Sequence, residues 1–324
     1  MDIRIIPTLF GLPEASELNE LNAGHINQTF LAVCGGKKYI LQALNRSVFH
    51  APEAVMDNLS RIEAAFREVS GVAVPHFIAA GDKNYAAADD KVWRMYRYIP
   101  AAADAAADAA AAGRAFGTFI RAMDGHELNN KPVIEEFHGF DRYFAALSNQ
   151  NRTEHDIMAR LDRLRDTLEQ VFTDSLEKRI IHGDAKPDNV IISDTLTIID
   201  LDTAMYGYAA IDYGDLVRAV CRGKEQFLPE ISEVTQGFAQ GLDGLLGADE
   251  VSSLYYGILW LTGELAVRYL TDAHRDVKYF RGKSSADCLS RAEELLRQLD
   301  MFKACETEIK EIISAAFAEH KEKP

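Results

Sequence analysis

The stretch Ile181-His182-Gly183-Asp184-Ala185-Lys186-Pro187-Asp188-Asn189, followed by Thr197-Ile198-Ile199-Asp200-Leu201-Asp202, decides how this chain is read. An acid five positions before an asparagine reads as a catalytic loop: Asp184 orients or deprotonates a hydroxyl, and the Asn189 amide holds a metal ion. Asp200 ends a short apolar β-type run, where a strand would aim it at the same metal. Hard oxygen ligands of this kind suit Mg2+ bridging the phosphates of ATP. His182 reads as a structural histidine bracing the loop. Asp202 would point to the same side as Asp200 if the strand continued, as a second metal or substrate contact, or else as an acid bonded to nearby backbone amides.

Working towards the N-terminus, glycine signals separate short strands at 18–23, 29–34 and 39–44, with Gly35-Gly36 as a hairpin turn. Val55, Leu59, Ile62 and Phe66 then recur at helical spacing, predicting one amphipathic helix over 52–68. Strand character returns at 72–80 and 92–99, and Pro100 closes a small β-rich lobe. The composition changes beyond it, so the domains are expected at 1–99 and 100–324. The alanine run 101–112 reads as a surface helix with Asp104 and Asp108 on one face, in preference to a flexible linker. Helices are further expected at 156–172, 212–221, 251–271, 286–299 and 307–318, with 319–324 a frayed charged tail.

The chain has 324 residues, 48% of them apolar, enough for a sizeable core. A net charge of −15 argues against wrapping nucleic acid or adhering to an anionic membrane, so small-molecule partners are expected. The four cysteines, Cys34, Cys221, Cys288 and Cys305, lack metal-ligand or disulfide spacing, which fits a reducing compartment. The N-terminus lacks a basic head followed by a long apolar stretch, and no apolar run approaches a membrane span. A cytoplasmic setting is expected.

In the small lobe, the turn from Asn22 to Thr29, with Gly24, His25 and Asn27, has the short polar residues that let backbone amides approach phosphates. Gln42 stands on the third strand where many phosphotransferases place a phosphate-pairing lysine. Its neutral amide can still bond phosphate oxygens, and Lys37, Lys38 or Arg46 could supply charge. The backbone of Tyr96 to Tyr98 could pair with an adenine edge. Further on, Arg268 sits in an otherwise apolar helix one turn after Glu264, where a buried ion pair is the ligand-free alternative. Asp212 and Asp215, at the entry to a helix, read as caps.

These motifs resemble the aminoglycoside phosphotransferase and choline kinase superfamily. The narrower similarity is to the N-acetylhexosamine 1-kinases. It is carried by Leu21 to Phe30, Tyr39-Ile40-Leu41-Gln42 with Leu44-Asn45, the helix Ala54 to Asn58, Glu136-Phe137-His138, the loop His182 to Asn189, Ile199 to Thr203, and Arg268 to Asp272 with Tyr279-Phe280.

The resemblance implies an α+β, protein-kinase-like two-lobed fold, with a small antiparallel-sheet N-lobe and a mainly helical C-lobe. It implies an ATP- and Mg2+-dependent transfer to the C1 hydroxyl of N-acetylglucosamine or N-acetylgalactosamine. Asp184 would act as base, Asn189 and Asp200 would bind magnesium, and Asp184, Arg268 and Tyr279 would contact the sugar. Gln42 then signals the subgroup. One departure stands out: a sugar-binding tryptophan near the C-terminus is absent, the only tryptophans being Trp93 and Trp260. Kinases of the same fold acting on choline, another sugar or an aminoglycoside are alternatives, as is a non-catalytic nucleotide-binding regulator, suggested by the missing lysine.

Overall fold

Alternating apolar residues build the first sheet. The computed structural model describes residues 2–21, 27–102, 108–129, 131, 133–150, 155–280 and 282–321. After a 3-10 segment, Ile3–Phe10, come β1 (Ala15–Leu21), β2 (Gln28–Cys34) and β3 (Lys37–Ala43); α1 (Pro52–Ala65), β4 (Val72–Ala73), β5 (Ala86–Ala88) and β6 (Lys91–Arg97) follow. Strands β1-β2-β3-β6-β5 form an antiparallel sheet. Phe30, Ala32 and Cys34 of β2 and Tyr39, Leu41 and Ala43 of β3 share a buried core with Trp93 and Met95 of β6 and Ile6 and Phe10 of the 3-10 segment. Gly35 and Gly36 take φ values of 55° and 76°, the backbone that a tight two-residue hairpin demands.

The chain continues through α2 (Ala109–Ala122), α3 (Phe140–Ser148), α4 (His155–Val171), β7 (Arg179–Ile181), β8 (Val190–Ile192), β9 (Leu196–Ile198) and β10 (Met205–Gly207). The helices α5 (Ala209–Val220), α6 (Leu228–Leu242), α7 (Ala248–Ala273), α8 (Ser285–Ala304) and α9 (Glu306–Lys321) complete it. Strand β7 pairs with β10, and β9 lies between β4 and β8. Glycine lets helices meet backbone to backbone. A Cβ added at Gly237 of α6 would stand 2.0 Å from the Ala110 carbonyl oxygen of α2, and one at Gly257 of α7 only 1.9 Å from the Ala210 carbonyl of α5.

Two compact units result. One comprises Met1–Ala105, Gly125–Glu135 and Ile191–Ala204; the other comprises Ala106–Asp124, Glu136–Val190 and Met205–Pro324. Asp200 therefore belongs to the sheet-bearing unit, and Asp184 and Asn189 to the helical one. No helix among the described residues is long and apolar enough to cross a membrane. All four cysteines are free thiols.

Several expectations need correction. The alanine run is not one surface helix. Asp108 caps α2 by accepting from the Ala111 amide at 3.0 Å, the helix behind it is largely buried, and Asp104 lies outside the described residues. Strand pairing from Val72 stops at Ala73, apart from isolated bridges at Phe77 and Ala80. Helix α9 runs to Lys321, through the first half of the expected frayed tail.

Candidate active site

In the helical unit, β7 delivers the loop after Ile181, and a fully buried carboxylate beneath it sets its shape. Asp212 of α5 accepts from the amides of His182 at 2.7 Å and Gly183 at 2.8 Å. It is a brace for the loop rather than a helix cap. Burial pushes its carboxyl above the ordinary range, outweighing the pull of His182 and of the two amides. His182, itself buried, packs edge-on against Phe116 and Phe119, and its Nδ1 accepts from the Asp184 amide at 3.2 Å.

Asp184 projects from this braced loop, half-buried. Lys186 Nζ lies 2.7 Å from its Oδ2, and Asn189 Nδ2 donates both to the Asp184 carbonyl at 2.8 Å and to Oδ2 at 3.0 Å. Burial alone would raise the Asp184 carboxyl; Lys186 foremost, then His182 and Asn189, hold it below the ordinary carboxylate range. The result is an ionised carboxylate with a cation two residues away. Because Asn189 spends its amide hydrogens on Asp184, its Oδ1 is the atom left to meet a metal. Among the described residues, no three His, Cys, Asp or Glu side chains gather as a metal cluster.

The same unit holds a second cluster. Arg268 donates to Glu264 at 3.4 Å, and its guanidinium carbon stands 5.0 Å from the Tyr279 ring, 5.1 Å from Tyr143 and 5.7 Å from Phe280. Glu264 also accepts from Trp260 Nε1 at 3.2 Å and meets His138 Nδ1 at 3.2 Å. The other ring nitrogen of His138 donates to the Gly183 carbonyl at 2.7 Å. Burial opposes charge on His138, but Glu264 and the Gly183 carbonyl raise its pKa above the ordinary value, and both of its partners are oxygens. Asp272 accepts from the amides of Tyr279 and Phe280 at 3.0 and 2.8 Å, which fixes these aromatic residues by their backbone.

In the sheet-bearing unit, the residues expected to face a nucleotide are tied to one another. Arg94 of β6 grips Asp202 through both of its terminal nitrogens, Nη2 to Oδ2 at 2.9 Å, and its Nε donates to Gln42 Oε1 at 2.9 Å. Gln42 Nε2 donates to Thr29 Oγ1 at 3.1 Å. Asn27 Nδ2 donates to Asp202 Oδ2 at 2.6 Å, and Asn27 Oδ1 accepts from the Asn45 amide at 3.1 Å. Gln42 is thus a bridge inside the sheet face. Asp202 is buried, and its carboxylate pairs with Arg94 and Asn27 rather than with nearby backbone amides.

Asp200 is exposed and sits two residues past the end of β9, with φ 61° and ψ 45°. The strand does not carry on to Asp202, because a 3-10 turn, Leu201–Thr203, intervenes. Left-handed backbone at a residue other than glycine marks local strain, which concentrates at working positions. Within the stretch Tyr96 to Tyr98, two residues turn their backbone to β3. Tyr98 donates its amide to the Lys38 carbonyl at 3.1 Å, and Tyr96 is paired with Ile40 in the β3–β6 ladder. Alternation along the ladder turns the backbone of Arg97 to the opposite edge instead. The Tyr96 ring packs edge-on against Phe77, and burial pushes its phenol up to about 12. Gly24 and His25 lie outside the described residues.

Arg94 and Lys186 carry charges that no expectation had used, and His138 had counted only as part of a resemblance. Lys186 was within reach of sequence reasoning, since a cation two residues after the loop acid can only be near it. Arg94 was not, because its partner stands 108 positions away.

A sequence model of the phosphotransferase enzyme family matches residues 17–245. Among solved structures, a microcompartment-associated aminopropanol kinase is 18% identical, with 94% of this chain and 98% of that chain covered and a TM-score of 0.71. An amicoumacin kinase in complex with AMP-PNP, Ca2+ and Ami is 16% identical, covering 92% and 94%, with a TM-score of 0.66. A choline/ethanolamine kinase family protein from Mesorhizobium loti is 18% identical, covering 94% and 93%, with a TM-score of 0.62. At such identities the likeness is one of fold: an antiparallel-sheet N-terminal lobe and a mainly helical C-terminal part.

Proposed function

Because the chain belongs to the phosphotransferase enzyme family, we propose that it transfers the γ-phosphoryl group of ATP, with magnesium, to the anomeric C1 hydroxyl of N-acetylglucosamine or N-acetylgalactosamine. Asp184 is the base. Lys186 keeps it ionised at neutral pH, and the braced loop holds it in place for the acceptor hydroxyl. Phosphoryl transfer passes through a loose transition state, so positioning and charge neutralisation supply most of the catalysis. Asn189, through Oδ1, and Asp200 are the candidate magnesium ligands, and both offer the hard oxygen that this ion prefers. Magnesium, when bound, would neutralise charge developing on the transferred group. Asn27, Thr29 and Gln42 shape the segment that approaches the nucleotide. The free cysteines fit a reducing, cytoplasmic setting.

Arg268 carries the acceptor reading. Its guanidinium already fills the aromatic surround of Tyr143, Tyr279 and Phe280, the kind of box that would otherwise attract a quaternary ammonium. A cationic acceptor would meet a like charge there, whereas the hydroxyl and acetamido oxygens of an N-acetylhexosamine would meet donors. Tyr279, 47% exposed, offers a ring face of the kind that sugars stack on.

A second reading, an amino-alcohol acceptor, draws on the aminopropanol kinase among the similar structures. A panel of N-acetylhexosamines, choline, aminopropanol and an aminoglycoside, assayed with ATP and magnesium and followed by phosphorus NMR, separates the two. Phosphate on C1 of an N-acetylhexosamine is the expected product. Turnover confined to an amine, or phosphate on another hydroxyl, would overturn the acceptor assignment.

A further inference from the structure

The peptide group joining Gly183 to Asp184 is held at both ends by imidazoles. Its carbonyl oxygen accepts from His138 Nε2 at 2.7 Å, and its amide donates to His182 Nδ1 at 3.2 Å. That plane sets the direction in which Asp184 leaves the backbone. His182 receives its orientation from Phe116 and Phe119. His138 receives its orientation from the other cluster: Nδ1 meets Glu264, and Glu264 meets Arg268. His138 is 5% exposed and Glu264 1%, so the contacts lie where water cannot replace them.

A second observation concerns the backbone. His138 adopts φ 60°, in the left-handed region that residues with a side chain avoid. Glu136, two residues earlier, does the same at φ 47°. The His138 ring is held at both nitrogens, on the loop and on Glu264.

We propose that His138 is a positioning residue that links acceptor binding at Arg268 to the placement of Asp184. The proposal rests on the assignment of Arg268 to the acceptor and Asp184 to the base. An acceptor oxygen that draws hydrogen bonding from Arg268 changes the share of Glu264 left to His138. The imidazole passes that change to the Gly183 carbonyl, one bond from the peptide nitrogen of Asp184. The link should govern kcat far more than acceptor affinity, since the acceptor's own contacts at Arg268 stay in place.

The test is His138→Asn in the full chain. Asparagine tolerates left-handed backbone, and its short amide can still meet Glu264 but cannot span to Gly183. Misplacement of a reacting group by about 1 Å can cost on the order of 100-fold, so kcat is expected to fall at least about tenfold while the acceptor KM changes less than about threefold. Trp260, bonded to Glu264, provides a fluorescence titration of acceptor binding that does not depend on turnover. Binding should persist in the variant.

Wild-type kcat in a normally folded H138N, or kcat normal per folded molecule with only a lower melting temperature, would overturn the proposal. Equal losses in binding and kcat would overturn it too. If H138N does not fold, His138→Gln, whose single amide can serve Gly183 or Glu264 but not both, is expected to show the same split. Should N-acetylhexosamines neither bind nor react with the wild-type protein while another alcohol does, the acceptor assignment fails separately. The split measured with that alcohol then decides the role of His138.

Discussion

Arg94 and Asp202 form a buried, two-pronged ion pair within the sheet-bearing unit, and Gln42 donates nothing to it but receives the remaining Arg94 Nε at 2.9 Å. The cation of this sheet face is therefore on β6, one strand over from the position where a lysine was missed. A neutral residue at 42 fits that: Asp202 already spends its carboxylate on Arg94.

Restoring the absent lysine should accordingly do harm. Gln42→Lys removes the acceptor of Arg94 Nε and sets an ammonium against a guanidinium. A loss of about 1–3 kcal/mol is expected from the orphaned donor alone, with no gain in turnover. Thermal melting and steady-state kinetics check this; a more active or more stable lysine variant would show that Arg94 does not fill the role.

Breaking the ion pair from one side should cost far more than removing it whole. Arg94→Met leaves Asp202 buried beside the neutral amide of Asn27, a change expected to cost about 3–5 kcal/mol. The double variant Arg94→Met with Asp202→Leu replaces charge by apolar volume and should recover most of that loss. Denaturant unfolding of both proteins measures the difference, and equal destabilisation would contradict it.

The legible parts of this molecule are those encoded within a few residues. The Gly35-Gly36 hairpin, the apolar face of α1, the strand at β6 and the loop from His182 to Asn189 all carry their signals locally. Asp108 shows the limit: alanine propensity runs smoothly across it, and only a cap bond to Ala111 fixes where α2 begins. Helix α6 was not anticipated; its Gly237 and Gly241 are where α2 comes close, a long-range contact that no local pattern records. The candidate site was legible in its acids and illegible in their supports. His138 and Glu264 lie 126 positions apart, and Asn27 and Asp202 lie 175 apart. No periodicity connects such pairs; only the folded chain does.

The glycine contacts make a separate prediction about stability. In Gly257→Ala the new methyl would press on the Ala210 carbonyl at 1.9 Å, and backbone cannot move aside as a flexible side chain would. Helices α5 and α7 must separate, at a cost of about 1–3 kcal/mol or more. Since α5 carries Asp212, the loop it braces should loosen as well. Hydrogen exchange at the His182 and Gly183 amides should quicken in this variant, and unchanged protection would mean the helices absorb the methyl without moving Asp212.

Lys186 controls the pH at which the base works. In the folded chain the Asp184 carboxyl sits below its ordinary value: burial raises it, but Lys186 and its neighbours lower it further. A depressed carboxyl stays ionised from neutral pH down through the usual carboxylate range, so turnover should hold there and fall only below it. Lys186→Met removes the largest opposing influence and leaves burial dominant. The acid limb of kcat should then move to higher pH, because Asp184 now takes up its proton earlier. Asp184→Asn, which cannot accept a proton, should lose most turnover at every pH while still binding ATP, as calorimetry would register. An acid limb that stays put in K186M would assign that limb to another group.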